Sequence, residues 1–348
     1  MVDWRLAERV ADAVSGGANT SPPAPPLAGG ADIGAMSARA LERVSAYARL
    51  QPAQPPPPSE AVGRSEWAKA NLTTMRATLD PLLERLGTGP LQTAGGMLVG
   101  VEAGGVVGFM GRSVLGQYEL ALLDPERPPR LLLVAPNLRE AARTFDADEA
   151  ELLEWVVFHE ITHAVQFSGV DWLREHVAGL LRELLASVTV EVDPSALLKL
   201  PNMQDLRGLW ESVREGGLVH AVAGEQRKAI IDRLQAVMAV IEGHAEHVMD
   251  AAGAAVLPSL PKLREALEKR RRDKPPLVKL LERLLGLDLK LRQYVVGKRF
   301  CDAVVRDWGI EALNRAWSDP EHLPTLAELD DPPSWVRRTQ VRAVSRGE

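Results

Sequence analysis

Apolar residues recur every three or four positions through most of the chain, which predicts a mainly helical protein. In the first 88 residues this spacing occurs at 38–50 and 65–87. Proline-rich stretches at 20–30 and 51–60 interrupt it, because proline cannot continue a helix. We therefore expect residues 1–88 to form an N-terminal helical region with proline-rich loops.

The pattern changes between residues 89 and 137, where glycine, valine and leucine predominate. Two apolar segments, LVGVEA and VVGFMG, flank Gly104 and Gly105, a pair typical of a two-residue hairpin turn. The residues from 116 to 138 supply two more strand candidates, separated by a turn rich in proline and charge. We predict a small, mixed or mainly antiparallel sheet over residues 89–137.

From residue 146 the helical period returns and continues towards the C-terminus. It predicts a helix at 146–168 with Asp146 as its N-cap, further helices in an inserted segment at 171–230, a long helix at 231–252, and C-terminal helices at 258–348. The predicted fold class is therefore α+β, predominantly helical, with one small sheet.

The helix at 146–168 carries His159, Glu160 and His163, the pattern H-E-x-x-H. Residues four apart lie on one face of a helix, so both imidazoles can bind one ion. Glu160 projects to the side, where it can accept a proton from a metal-bound water. The flanking residues are apolar, and burying these polar groups is costly unless they bind a metal. The pattern predicts one catalytic Zn²⁺ with Glu160 as general base.

A catalytic zinc needs a third protein ligand. The metzincin continuation is excluded, because Gln166 stands where that motif has glycine and position 169 is Gly rather than His. The best source is the segment 241–250, IEGHAEHVMD, where Glu242 and Glu246 share one helical face. Either glutamate would complete a site with two histidines and one glutamate.

The same segment offers candidates for supporting roles. Glu246 or Asp250 could accept a hydrogen bond from a ligand imidazole. His244 and His247 share a different face from the glutamates and could contact substrate or stabilise an oxyanion. Tyr294 is a further candidate for an oxyanion donor, although a helical tyrosine more often serves packing.

Composition limits the other possibilities. The chain has 348 residues, a formal net charge of −6 and one cysteine, Cys301. This charge does not favour nucleic acid, and one cysteine excludes both an intramolecular disulfide and a cysteine-based zinc cluster. The N-terminal segment lacks an apolar signal-peptide core, and no apolar run reaches the length of a membrane helix. We expect a cytoplasmic protein.

At these motifs the chain resembles a family of zincin-like, zinc-dependent metalloproteases, sometimes labelled as associated with biosynthesis of a deazaflavin coenzyme. The resemblance spans residues 60–338 and rests on SEWAKANL, FHEITHAVQF, IEGHAEHVMD, GLDLKLRQYVVGKRF and LPTLAELDDPPSWVRR. It implies a zincin-like metallohydrolase domain at 89–348, with a mixed sheet, an active-site helix and a second helix that supplies the third ligand.

In the gluzincin branch of these enzymes, the third ligand is often the glutamate of an E-G-x-A sequence. Residues 242–245 match this sequence, so the resemblance implies Glu242 rather than Glu246 as the ligand. About 80 positions separate His163 from Glu242, more than in most gluzincins, which implies that the intervening helices form an insertion.

The leading functional hypothesis is a zinc metallopeptidase that hydrolyses peptide bonds. A strand at 130–137 could bind an extended peptide by pairing along its edge. One alternative is a zinc-binding scaffold or interaction protein without hydrolysis, since the proline-rich segments and the insertion could cover the cleft. Another is a hydrolase that acts on a small amide in a narrow pocket.

Overall fold

The computed structural model describes residues 2–16, 27–83, 90–187, 225–272 and 287–346. The strands are β1 (Ser59–Val62), β2 (Gly116–Glu119) and β3 (Arg130–Val134). The α-helices of the described residues are α1 (Trp4–Ser15), α2 (Ile33–Ala48), α3 (Arg64–Leu83), α4 (Pro90–Met110), α5 (Ala135–Phe145), α6 (Glu149–Gly169), α7 (Leu173–Ser187), α8 (Glu225–Gly253), α9 (Leu260–Arg272), α10 (Leu287–Trp308), α11 (Ile310–Asn314), α12 (Leu326–Asp330) and α13 (Pro332–Arg346). Single 3₁₀ turns occur at Leu27–Gly29, Arg315–Trp317 and Pro320–His322.

The sheet is mixed and has β3 at its centre, in the order β1-β3-β2. Strand β1 pairs with β3 in parallel, and β2 pairs with β3 antiparallel. Alternate residues of a strand face opposite sides of a sheet. Leu131 and Leu133 accordingly pack with α2, α5 and α6, whereas Leu132 and Val134 pack with α1, α3 and α4. Helices cover both faces of β3, which explains why its sequence is a continuous apolar run. The predicted fold class, α+β and mainly helical with a small mixed sheet, is confirmed.

The chain divides into two compact units. Unit 1 contains Met1–Asp171 and Val248–Arg271, and unit 2 contains Trp172–His247 and Arg272–Glu348. Helix α8 belongs to both, since its first part lies in unit 2 and its last turn and a half in unit 1. The sheet, its covering helices and the H-E-x-x-H helix α6 all lie in unit 1.

The predicted hairpin around Gly104 and Gly105 is wrong, because these residues lie inside helix α4. Glycines recur there at every fourth position and bring the backbone of α1 into close contact. A Cβ atom added to Gly100, Gly104 or Gly108 would lie 2.7, 2.3 or 2.7 Å from the carbonyl oxygens of Asp3, Ala7 and Ala11, respectively. The glycines therefore allow α4 to pack closely against α1. This packing explains why they recur at every fourth position, which a turn would not.

Substituting Gly104 with alanine is expected to destabilise the protein by about 1–3 kcal/mol, the usual cost of overpacking a close contact. The neighbouring Gly105→Ala is the matched control, because nothing lies within 4 Å of its added methyl group. Alanine there should be neutral or stabilise α4 by roughly 0.5–1 kcal/mol. Thermal unfolding of the two variants checks this, and equal melting temperatures would contradict the close α1–α4 contact.

Three further expectations differ from the structure. Strand β3 is central rather than at an edge, so an extended peptide cannot pair along residues 130–134. Strand β1 lies in the N-terminal region and begins inside the stretch 51–60, which the sequence predicts to be only a proline-rich connector. The helix predicted to carry the active site begins at Glu149 after its N-cap Asp148, whereas Asp146 ends α5 with a left-handed φ of 49°.

Within the described ranges, no helix combines the length and the apolar character that crossing a membrane requires.

Candidate metal centre

Helix α6 holds the H-E-x-x-H residues in a well-defined position. Its N-cap Asp148 accepts hydrogen bonds from the backbone N–H groups of Ala150 and Glu151, which stabilises the first turn. Apolar residues of α6 on several sides of the helix, Val157, Phe158 and Ile161 among them, are buried. This packing fixes the helix on the sheet and leaves its polar residues at a largely buried surface.

The two imidazoles of α6 face each other. Nε2 of His159 and Nε2 of His163 lie 3.2 Å apart, and the two rings are nearly perpendicular, at 86°. Two nitrogens bound to one tetrahedral zinc at 2.0–2.1 Å would lie about 3.3 Å apart. The observed separation therefore fits joint binding of one ion without rearrangement of either side chain.

Gln166, one turn after the histidine pair, fixes the orientation of His163. Its side chain is fully buried, and Oε1 lies 2.9 Å from Nδ1 of His163. When Nδ1 donates its proton to this oxygen, Nε2 of His163 carries the lone pair that a metal needs. The sequence analysis identifies Gln166 only as a departure from the metzincin motif. The signal that it missed is the spacing, because a residue three positions after His163 lies on the same helical face and can reach its ring.

Glu160 lies beside the edge strand β2. The residue is only 4% exposed, and Oε2 of its carboxylate accepts a 2.6 Å hydrogen bond from the backbone N–H of Tyr118. Gly116 makes this approach possible, because a Cβ atom there would lie 2.9 Å from Oε1 of Glu160 and 2.6 Å from Cγ1 of Val156. The sheet thus holds one carboxylate oxygen of the residue that directly follows His159.

Helix α8 carries the candidates for the third ligand in unit 2. Glu242 is half-buried, and Glu246 is buried one turn further along the same face. Gly243 lets α10 approach this turn closely, since a Cβ atom there would lie 2.1 Å from the backbone of Gly297. The glycine of the E-G-H-A sequence therefore has a packing role beside Glu242.

The two histidines of α8 have different surroundings within unit 2. His244 is fully buried, and its ring packs edge-on against Trp317 with centroids 5.1 Å apart. Nδ1 of His247 lies 2.7 Å from Oδ1 of Asp302, whose Oδ2 also accepts from Nζ of Lys298 at 2.7 Å. Burial raises the pKa of Asp302, but these two hydrogen bonds outweigh it and hold the pKa below its ordinary value. A charged carboxylate therefore orients His247, and the ring of His244 packs against an aromatic side chain. The contact of either histidine with substrate or an oxyanion stays a prediction.

The remaining candidates lie elsewhere. Asp250, in unit 1, accepts a 2.6 Å hydrogen bond from Nε of Arg264, whose guanidinium covers the ring of Trp155. This ion pair gives Asp250 a structural role, and its contact with a ligand imidazole stays a prediction. Tyr294 belongs to α10, but the predicted oxyanion role falls on a side chain outside the described part of the structure.

The chain is similar to known proteins over nearly its whole length. A family model described as zincin-like metallopeptidase matches residues 2–336. A solved structure of a proposed hydrolase with a novel fold, from Chloroflexus aurantiacus, is similar over 98% of this chain and 99% of its own, with 27% identity and a TM-score of 0.71. None of the curated proteins compared with the chain matches it. The chain therefore belongs to the zincin-like metallopeptidase family.

Proposed function

We propose that this protein is a zinc metallopeptidase that hydrolyses peptide bonds, with Glu160 as its general base. The family and the hydrolase neighbour support the coarser assignment, a metallohydrolase. The observation that carries the proposal is the geometry of α6, with two imidazole nitrogens 3.2 Å apart beside a buried glutamate. This donor set suits zinc, which prefers histidine nitrogen and carboxylate oxygen in tetrahedral sites.

We further propose that His159, His163 and Glu242 together bind the zinc ion, which would make the site gluzincin-like. The continuity of α8 supports this helix as the source of the third ligand. Val248 and Met249, near the end of α8, pack in the same apolar core of unit 1 as Phe158 of α6. A helix rises 1.5 Å per residue, so Glu242 lies only about 9 Å along the axis from Val248.

The chemistry of the proposed reaction is divided between the ion and the protein. A zinc ion bound here would acidify a coordinated water and polarise the scissile carbonyl. Glu160 would take the proton of the attacking water on Oε1, since Oε2 accepts the N–H of Tyr118. The same oxygen would then deliver the proton to the nitrogen of the leaving amine. Gln166 would keep Nε2 of His163 available as a ligand throughout.

Strand β2 is the proposed docking edge for an extended peptide. The backbone groups of its odd-numbered residues form the hydrogen bonds to β3. The bond from the N–H of Val134 to the carbonyl of Leu115, directly before β2, establishes this alternation. The backbone groups of Gly116 and Tyr118 consequently point away from β3, towards the outer edge of the sheet. Glu160 accepts the N–H of Tyr118 there, so the N–H and carbonyl of Gly116 are the groups that we propose to pair with a peptide. A peptide strand added at this edge would run directly past Glu160.

Removal and restoration of the metal test the proposal. Protein stripped with a chelator is incubated with a diverse peptide mixture before and after zinc is restored, and new peptide termini are identified by mass spectrometry. We expect cleavage only in the zinc-loaded sample. Zinc bound in a stoichiometric amount without any cleavage would contradict the peptidase proposal, and would leave a scaffold or a small-amide hydrolase as the function.

A further inference from the structure

Two aromatic side chains lie beside the proposed site without a role in the chemistry described above. Tyr118 of β2 and Phe167 of α6 stack with ring centroids 6.3 Å apart and planes inclined by 26°. Both are half-buried rather than enclosed in the core. Phe167 lies one helical turn after His163, and the backbone N–H of Tyr118 binds Glu160. The pair is thus an apolar surface close to both the general base and a metal ligand.

The register of β2 determines what this surface would contact. Side chains alternate between the two faces of a sheet, and Tyr118 is on the face that α6 covers, together with Gly116. Gln117 and Glu119 are on the opposite face, where they bind Asn71 and Thr74 of α3. In a strand added along β2, the residue opposite Tyr118 would have its side chain on the α6 face. It would therefore lie against the rings of Tyr118 and Phe167.

We infer that Tyr118 and Phe167 form a specificity subsite that selects a large apolar or aromatic side chain of a peptide substrate. This inference rests on the proposed function, because it uses the same docking edge. Since Glu160 binds the backbone of Tyr118, the selected residue lies next to the scissile bond. Gly116, two residues earlier on the same face, has no side chain, and Val156 and Glu160 fill the space beside it, so the aromatic contact is concentrated at one substrate position.

Peptide binding tests the subsite separately from catalysis. The zinc-loaded Glu160→Gln protein is titrated with fluorescein-labelled peptides in which a single phenylalanine or alanine is moved along an otherwise identical polar sequence. At one position we expect phenylalanine to bind at least about 10-fold more tightly than alanine, the discrimination typical of an apolar pocket. Tyr118→Ala and Phe167→Ala in this background should reduce the ratio to less than about 3-fold.

Conservative and distant substitutions serve as controls. Tyr118→Phe and Phe167→Leu keep the apolar surface and should restore most of the discrimination. Phe109→Ala removes a half-buried ring from α4, in the layer on the other face of the sheet, and should leave the ratio unchanged. Tyr118→Ala retains the backbone N–H that Glu160 accepts, so its effect reports the ring alone.

The outcomes separate the subsite from the proposed function. Discrimination that is lost in both alanine variants supports the subsite, even if the wild-type protein cleaves no peptide and the peptidase proposal fails. Discrimination that survives both variants overturns the subsite, even if cleavage is observed. Absence of any preference at every position, or of any peptide binding, also overturns it.

Discussion

Glu160→Gln is expected to lower the rate of peptide hydrolysis about 10³-fold, within the range that general acid–base catalysis contributes. Glutamine has the same shape and can still accept the N–H of Tyr118, but it cannot take a proton from water at neutral pH. Zinc affinity should be unchanged, because this side chain is beside the proposed ligands and not among them. Peptide turnover and zinc titration of the same preparation measure the two effects.

Glu154→Gln is the matched control for this experiment. It makes the same chemical change on the same helix, at a glutamate that pairs with Arg39 near the surface. Loss of the ion pair with Arg39 should lower the free energy of unfolding by no more than about 1 kcal/mol, and peptide turnover should stay intact. If Glu160→Gln retained wild-type turnover, or if both variants lost activity equally, Glu160 would not be the general base.

The second large effect concerns the proposed third ligand. Glu242→Gln should weaken zinc binding by more than 100-fold, because a neutral amide replaces a charged ligand. Glu246→Gln makes the same change one turn away, on a residue that is 4% exposed, and should have a much smaller effect. Competition with a chromogenic chelator measures both affinities.

The size of the effect separates a ligand from a neighbouring residue. Gln166→Met removes the acceptor that holds His163 while keeping a similar volume, and should weaken zinc binding only 10- to 100-fold, as partners of ligands do. If Glu246→Gln proved more harmful than Glu242→Gln, the third ligand would have been assigned to the wrong glutamate.

The elements predicted correctly are those with a strong local signal. The helix around His159 and His163 has a sustained apolar period, and its histidine spacing is itself a property of the helix. The choice between Glu242 and Glu246 is different, because residues four apart share one face and the local pattern treats them alike. In the sequence, only the resemblance to E-G-x-A sequences favours Glu242 over Glu246. The zinc affinities of the two glutamine variants decide between them.

The errors arose where the meaning of a residue depends on a distant partner. Gly104 looked like a turn residue, but its role comes from the backbone of Ala7, almost 100 positions earlier in the chain. Strand β3 looked like a possible edge, but the strands that flank it come from residues 59–62 and 116–119. Neither partner can be identified from the periodicity of the segment itself.

The discontinuity of unit 1 has a consequence for synthesis of the protein. Its apolar core includes Val248, Met249 and Leu257 together with residues of α6, yet the chain leaves this unit after residue 171. A ribosome adding 5–20 residues per second needs roughly 4–15 s to make the intervening segment. During that interval the nascent helix that bears the histidine pair lacks part of its apolar cover, so this stage of translation is where the chain most needs protection from aggregation.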